Sequence, residues 1–362
     1  MSTTEFIGAM LLLLPVAACA EALFEDQLIV PVPETWHGPR GMPGDIIELT
    51  DGRLLLAYTR YGYVAGGKET GIWARTSDDR GQTWSEEYPL LPDPRPPSEN
   101  GRYAHPSFLR LPDGDLLMSY IYDVSVDPGY GHTYYRRSDD DGETWSDQFI
   151  VTPHPERMLV HNDKLVLLSD GRIIAPAEFS PGAEKGSHRN YVATAYYSDN
   201  NGYAWRMSSS IVKANYEVQE PHVVELRDGR LMMMFRTYSG FCGRSYSDDR
   251  GQTWSEPEAL EDVPMTPRAS AITVDRIPST GDLLLIRCRG LGQGERARTP
   301  LVSAISTDEG ETWEHERVLF GEPDGDYGYQ SVDFVDDMVI LSYHQRDGLH
   351  VARIGVEWFY EE

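Results

Sequence analysis

The sequence has few cysteines and few positive charges, and each shortage excludes a class of protein. Cys19, Cys242 and Cys288 lack the short spacing of zinc ligands, so a metal site built on thiolates is not expected. We interpret Cys242 and Cys288 as separate buried thiols, with a bridge between them as the alternative. Only 32 Lys and Arg stand against 58 Asp and Glu, which gives a net charge of −26. Nucleic acid and anionic membranes would repel such a surface, so we expect neither as a partner.

A long apolar run is also lacking, because the one at residues 6–20 is too short to span a membrane comfortably. This run resembles a secretory leader, and residues 16–19 resemble a bacterial lipoprotein box. We therefore expect a leader at residues 1–20, with Cys19 as a candidate lipid anchor, and a single domain at 21–362. The expected location is secreted or periplasmic. We expect no cofactor, and a cation bound by turn carboxylates is the alternative.

A repeated octapeptide of the pattern Ser-x-Asp-x-Gly-x-Thr-Trp is what the chain has in abundance. Full copies start at Ser77, Ser138, Ser247 and Ser306, and a degenerate copy starts at Ser198. The aspartate can accept hydrogen bonds from the backbone of its own turn, and glycine supplies the positive φ of a tight hairpin. The tryptophan is a large apolar side chain that suits a core. Five such turns predict a repeat architecture.

A second repeat lies between the octapeptides, a hairpin turn built on Asp-Gly or a similar pair. Six such turns recur every 53 to 62 residues, at Asp51, Asp113, Asp170, Asp228, Gly281 and Asp336. Four strands per repeat predict an all-β fold, a six-bladed β-propeller of four-stranded antiparallel blades. The apolar segment 22–30 is expected to add the strand that closes the ring. Two separate β-sandwiches are the alternative, but no linker or change of composition interrupts the period.

In such blades both kinds of turn lie at one face, so a central pocket is expected at the opposite face. Eight residues before each Asp-Gly turn, and eight to ten after it, the chain should approach this pocket. The residues found there are polar, ionisable or aromatic in nearly every blade: His105, Asn162, Glu220 and Tyr329 before the turns, and Arg60, Tyr122, Asp123, Glu178, Arg236 and His344 after them. A water-filled channel mouth is the alternative explanation for any one of them.

These residue types suggest a site for an anionic ligand. Arginine pairs bidentately with carboxylate, and a glutamate beside a tyrosine can turn the phenol into an aryloxide nucleophile. His105, His161 and His344 are candidate general acids or bases, each with a structural hydrogen-bonding role as its alternative. The octapeptide aspartates are interpreted as scaffold.

The octapeptides resemble the Asp-boxes of the sialidase (neuraminidase) superfamily, in particular its bacterial BNR-repeat members. Residues 219–238 resemble the segment that carries a glutamate and, sixteen residues later, an arginine, which map to Glu220 and Arg236. The arginine eight residues before the last octapeptide maps to Arg298, and the nucleophilic tyrosine maps to Tyr329, with Tyr327 as a rival. The first arginine of the family's triad maps to Arg40, where the local sequence departs from the family's Arg-Ile-Pro.

This resemblance implies a retaining exo-glycosidase that acts on a terminal acidic sugar of a glycan, sialic acid or a relative. The three arginines would hold the sugar carboxylate, and Tyr329 with Glu220 would form the nucleophile pair. The acid/base aspartate that the family has in the loop after the first hairpin is absent, and Glu69 is the nearest carboxylate there. Asp123, Glu178 and His105 are further candidates for the acid. Other expected substrate contacts are Arg60, Asn162, Glu178, His161, Tyr122 and His344.

Two other functions stay open at this stage. One is a polysaccharide lyase, or another uronate-active propeller, in which a histidine and a tyrosine abstract a proton. The other is a non-catalytic glycan-binding propeller, which the absent aspartate favours.

Overall fold

A computed structural model describes residues 22–32, 42–60, 70–92, 101–124, 131–182, 190–265, 270–290 and 298–361, with only the backbone described for 101, 102, 123 and 124. These residues form 25 strands and, at Val356–Tyr360, one 3-10 helix. The all-β prediction is therefore confirmed. None of the helical structure described is long and apolar enough to cross a bilayer.

Four of the sheets have four strands each, and every strand in them pairs antiparallel with the next. The first sheet consists of β2 (Gly44–Glu48), β3 (Leu54–Arg60), β4 (Gly71–Ser77) and β5 (Tyr88–Pro92). The second consists of β15 (Val218–Glu225), β16 (Leu231–Thr237), β17 (Phe241–Ser247) and β18 (Glu258–Pro264). The third consists of β19 (Thr273–Arg276), β20 (Leu283–Cys288), β21 (Leu301–Ser306) and β22 (Glu314–Phe320). The fourth consists of β23 (Gly328–Val335), β24 (Met338–Gln345), β25 (Gly348–Gly355) and β1 (Phe24–Pro31).

The fifth sheet has nine strands and contains both the second and the third repeat. Its strands are β6 (Gly101–Arg110), β7 (Leu116–Val124), β8 (Gly131–Ser138), β9 (Phe149–Ile150), β10 (Met158–Leu159), β11 (Val166–Leu167), β12 (Ile173–Phe179), β13 (Val192–Ser198) and β14 (Arg206–Met207). The short strand β10 joins the two halves, because it pairs parallel with β8 and antiparallel with β12. Four-stranded units are thus confirmed, but two of them share one sheet.

The first strands of most units lie side by side, and the second strand β12 takes part in the third unit. Strand β2 contacts both β6 and β23, strand β15 contacts β12 and β19, and β19 contacts β23. Apolar side chains fill the space between neighbouring sheets, as where Leu55 and Ala57 of β3 pack with Leu116 and Met118 of β7. The expected strand at 22–30 is β1, which pairs antiparallel with β25 at the edge of the last sheet.

The octapeptides form the turns that the sequence predicts. In the first copy, Ser77 Oγ accepts the Gly81 N–H at 2.8 Å, and Asp79 Oδ1 accepts the Thr83 N–H at 2.8 Å. Hydrogen bonds from the Thr83 side chain and backbone lower the pKa of the half-buried Asp79. Leu54, beside the Asp-Gly turn, pairs with Ser77, so both kinds of turn lie at the same end of the sheet. The interpretation of these aspartates as scaffold agrees with their contacts. Cys242 and Cys288 are free and buried, as interpreted.

A row of charged side chains crosses the interior between the first strands. Lys164 is 1% exposed, and its Nζ donates to Ile272 O at 2.8 Å and lies 3.0 Å from His222 Nδ1. His222 Nε2 lies 3.7 Å from Asp275 Oδ1. Burial lowers the pKa of Lys164 and of His222 and raises the pKa of Asp275 to about 7. The ionised form of Asp275 is therefore a cost to the folded state near neutral pH.

We predict that Asp275→Asn changes how stability depends on pH. The raised pKa means that folded protein holds a proton on Asp275 between pH ~4 and ~7 while unfolded protein releases it, so wild-type stability falls as pH rises through this window. The variant lacks this loss and should gain about 3 kcal/mol relative to wild type between pH 4.5 and 8. Urea unfolding at several pH values measures it. A difference between the two proteins that is constant with pH would contradict the assignment.

Candidate active site

Three of the predicted catalytic residues lie at the same kind of backbone irregularity. The pairing of β6, β15 and β23 with their neighbours shifts register at His105, Glu220 and Tyr329, respectively. At these residues φ is 56°, 49° and 54°. This left-handed conformation is unfavourable for residues other than glycine and is concentrated at functional sites. The three bulges therefore hold these side chains in position at the cost of an unfavourable backbone conformation.

A side chain from the preceding unit holds the N–H of each bulge residue. The acceptors are Thr59 Oγ1 at 2.9 Å from His105 N, Glu178 Oε2 at 2.6 Å from Glu220 N, and Ser270 Oγ at 2.8 Å from Tyr329 N. Thr59 and Glu178 are equivalent, since each is the last residue but one of its strand, β3 or β12. Packing between units thus fixes the bulges.

Glu220 and Arg236 form a buried ion pair. Arg236 Nη1 donates to Glu220 Oε2 at 2.8 Å, with side-chain exposures of 8% and 6%, and Arg236 Nη2 donates to Tyr238 OH at 3.1 Å. Burial by itself raises the pKa of Glu220, but the charges of Arg236, His161 and Arg298 outweigh it and lower this pKa. Glu220 is therefore held as an anion inside the protein.

Arg298 is buried beside Tyr329, just before β21. Its Cζ lies 5.5 Å from the centroid of the Tyr329 ring, and the residue is 5% exposed. Its Nε and Nη1 are buried and have no hydrogen-bond partner among the described residues. Gly328 makes room for this arginine, because a Cβ there would lie 3.0 Å from Arg298 Nη1 and 2.2 Å from Ser270 Oγ. A buried guanidinium with unsatisfied donors is suited to receive an anion.

We predict that Gly328→Ala destabilises the protein by about 1–3 kcal/mol, because the new Cβ collides with Ser270. Ser270→Gly removes the colliding atoms, so in that background Gly328→Ala should cost at least ~0.5 kcal/mol less. Urea unfolding of the four proteins measures the coupling. Gly321→Ala is the control, since its Cβ would come no nearer than 3.2 Å to the atoms described. Additive effects of the two substitutions would show that this contact does not shape the site.

Asn162 links three parts of the site. Its Nδ2 donates to Gly44 O and to Tyr329 O, both at 2.9 Å. Its Oδ1 is then left to face His105 Nδ1, at 3.4 Å, which places the proton of neutral His105 on Nδ1. The His105 ring also contacts the Tyr329 ring edge to face, with 5.2 Å between the centroids.

His161 and Glu178 form a second buried pair. His161 Nε2 lies 3.1 Å from Glu178 Oε1, with side-chain exposures of 8% and 6%. The His161 ring lies edge to face against His105, with 4.7 Å between the centroids. Contacts therefore run without a break from Arg298 through Tyr329, His105, His161, Glu178 and Glu220 to Arg236. The structure brings these seven predicted residues together.

Three other predicted residues have partners of their own. Arg60 Nη1 lies 2.7 Å from Glu87 Oε1, and its Cζ lies 4.2 Å from the Trp73 ring centroid, so its charge is already paired. Tyr122 packs against other tyrosine rings at 5.2 and 5.9 Å. His344 is buried, and its Nδ1 accepts the Met42 N–H at 3.4 Å. Their roles as substrate contacts stay predictions.

Three predicted residues cannot be placed by side chain. Arg40 and Glu69 lie outside the described residues. Asp123 lies in β7, and only its backbone, which pairs with Gly131 of β8, is described. Within the described chain, no group of three or more His, Cys, Asp or Glu side chains is arranged to hold a metal ion.

Counting from the turns missed the residues that support the site. Thr59 and Tyr238 lie eight and ten residues after Asp51 and Asp228, inside the counted window, but Arg60 and Arg236 were selected there instead. Ser270 stands at no repeated position, and its contact with Tyr329 depends on the packing of the units.

Comparison with known proteins identifies the family. A family model described as a BNR repeat-like domain matches residues 52–339. The chain belongs to this BNR-repeat family of sialidase-like proteins. A curated sialidase from Micromonospora viridifaciens is 25% identical over 95% of the chain and 56% of its own length. The chain spans about half the length of the curated relatives it matches.

Solved structures support the fold. The Hadza microbial sialidase matches with a TM-score of 0.71 at 19% identity, over 87% of this chain and 66% of its own. A protein of unknown function from Dyadobacter fermentans also matches with a TM-score of 0.71 at 19% identity, over 91% of this chain and 98% of its own. At this identity the likeness establishes the sialidase-like fold of the BNR-repeat protein and leaves its reaction to be argued from the site.

Proposed function

We propose that the BNR-repeat protein is a closed ring of six four-stranded blades with the site at its centre. The side-by-side contacts of the first strands support this arrangement, and so does the hydrogen bond from Lys164 N to Ser107 Oγ at 3.0 Å between the second and third units. Strand β1 gives the last unit its fourth strand. Closure would remove the exposed inner edges of the sheets.

We propose further that the protein is a retaining exo-glycosidase for a terminal acidic sugar, sialic acid or a relative. The observation that carries this proposal is the buried guanidinium of Arg298, which has unsatisfied Nε and Nη1 and lies beside Tyr329. A sugar carboxylate would give Nη1 its acceptor and could pair bidentately through Nη1 and Nη2, and such pairing is strong when it is shielded from water. Arg236, and Arg40 by resemblance, would complete the clamp. The curated relatives named sialidases support the substrate class.

In this mechanism Tyr329 attacks the anomeric carbon. Glu220, held as an anion, takes the phenol proton, and the bond between the anomeric carbon and the leaving oxygen breaks as the bond to Tyr329 forms. Water then attacks the same carbon, tyrosine leaves with its proton returned from Glu220, and the sugar is released with its configuration retained. Burial of Arg236 and Arg298 means that their charges act at low dielectric on the anionic sugar.

The side chains proposed for the nucleophile pair can be tested directly. Tyr329→Phe and Glu220→Gln should each lower kcat by roughly 10²-fold or more on aryl glycosides of acidic sugars, because each removes a group that acts in the transition state. Arg298→Ala should mainly raise KM for acidic sugars. Tyr203→Phe, at a tyrosine that is 66% exposed, is the matched control and should leave kcat unchanged. Undiminished turnover in both Tyr329→Phe and Glu220→Gln would end this mechanism.

A lyase is the second candidate function, because the rings of His105 and Tyr329 are in contact. In that reaction one of the two residues would take the proton from the carbon next to a uronate carboxylate, the C–O bond to the leaving group would break, and the other residue would give its proton to the leaving oxygen. The same assays distinguish it, since a lyase yields an unsaturated product that absorbs in the ultraviolet and a hydrolase does not.

We also propose export, with residues 1–20 as the leader and Cys19 as a candidate lipid anchor, to a secreted or periplasmic location. The mass of the N-terminal peptide of the mature protein tests this: cleavage after residue 18 with a lipid on Cys19 indicates an anchor, cleavage without lipid indicates secretion, and an intact Met1 contradicts export.

A further inference from the structure

The missing loop aspartate leaves the proposed glycosidase without an assigned proton donor. We propose that His161, held by Glu178, donates the proton to the leaving-group oxygen. This inference rests on the glycosidase function proposed above and adds one catalytic residue, His161, and one positioning residue, Glu178.

Hydrogen bonding at Glu178 fixes the tautomer of His161. Glu178 Oε2 accepts the Glu220 N–H at 2.6 Å, and a backbone N–H can only donate. Glu178 Oε1 faces His161 Nε2 at 3.1 Å. As an ionised carboxylate Glu178 accepts at both oxygens, so Nε2 carries a proton and Nδ1 is the nitrogen that exchanges one. This is the arrangement of a base oriented by a carboxylate.

The exchanging nitrogen lacks a partner. His161 is 7% exposed, and its Nδ1 is buried without a hydrogen-bond partner among the described residues. Buried polar atoms are normally satisfied, so an exception calls for an explanation such as catalysis. The hydroxyl or glycosidic oxygen of a bound sugar would supply the missing partner.

His161 also differs from its neighbour in the charge of its partner. His105 faces the neutral amide of Asn162, whereas His161 faces the carboxylate of Glu178. The groups that interact with His161 are Glu178 on β12, His105 on β6 and Glu220 on β15. Arg236 on β16 and Arg298 before β21 act on Glu220, and Tyr329 on β23 contacts His105. Two anions offset two guanidinium groups there, and the bound sugar carboxylate adds a third anion.

With His161 as the donor, every proton that is given up in one step is regained in the next. As the glycosidic bond breaks, its electron pair goes to the leaving oxygen, which takes the Nδ1 proton of His161, and the imidazole becomes neutral. In the second step Nδ1 takes a proton from the attacking water as the bond to Tyr329 breaks, and the imidazolium is restored. Tyr329 and Glu220 exchange their own proton separately, so neither step needs another reactant.

Leaving groups of different basicity test the proposal. A 4-nitrophenyl glycoside departs without protonation, whereas a lactose-linked sialoside needs a proton. We expect His161→Asn to lower kcat/KM by roughly 10²–10⁴-fold on the lactose-linked substrate and by less than about 10-fold on the aryl substrate. His315→Asn, at an exposed histidine on the outer strand β22, is the matched control and should change neither value.

Glu178→Gln provides the second variant, because it keeps the shape of the side chain. Its amide oxygen would accept the Glu220 N–H and its NH₂ would face His161 Nε2, which forces the histidine proton to Nδ1 and disfavours the imidazolium. We expect a larger loss of kcat on the lactose-linked than on the aryl substrate. The pH above which activity falls should also move down. Unfolding midpoints of all variants show whether each is folded.

The outcomes separate the two proposals. Equal losses on both substrates, or an unchanged pH profile in Glu178→Gln, overturn the role of His161 while leaving the glycosidase intact. A wild-type protein that turns over neither substrate overturns the glycosidase function, and the proton donor with it.

Discussion

Contact between neighbouring units at the bulged first strands is the constraint on which the site depends. His105, Glu220 and Tyr329 adopt a left-handed backbone that none of them favours in isolation. Each is held there by one side-chain acceptor of the preceding unit: Thr59, Glu178 or Ser270. A single unit could not provide both the bulge and its acceptor. The site therefore forms only when the units have assembled, and assembly stabilises the strained backbone at these three residues.

The chain as a whole is strongly acidic, but the interior of the fold contains buried positive charges. The chain carries a net charge of −26, yet Arg236 and Arg298 are buried where the first strands meet. Glu220 neutralises Arg236 directly, while Arg298 keeps unsatisfied donors. Deeper in the interior, Lys164 lies among carboxylates whose ionisation burial opposes. Acidic surface supports solubility, and the unsatisfied donors of Arg298 are the feature on which the proposed binding of an anion rests.

Many residues of the candidate site could be predicted, because the regular spacing of the turns gives the position of each residue within its unit. Eight residues before an Asp-Gly turn the chain reaches the bulge of a first strand, so counting selected His105 and Glu220, and the family motif selected Tyr329 and Arg298. The same count chose Arg60, which the structure pairs with Glu87 instead. It could not show that the second and third units share one sheet, because that depends on β10, a two-residue strand without a hydrophobic pattern.

The sequence by itself determined the all-β repeat, the octapeptide turns and the strand β1 that completes the last sheet. These follow from local chemistry: aspartate and glycine in a tight turn, and alternating apolar runs beside it. Only the tertiary structure decided which polar residues meet. Ser270 lies far along the chain from Tyr329, and Glu178 from Glu220, so their hydrogen bonds depend on how the units pack. The roles of His161 and Glu178 come from that packing, since a tautomer is set by a partner in space and not by a neighbour in sequence.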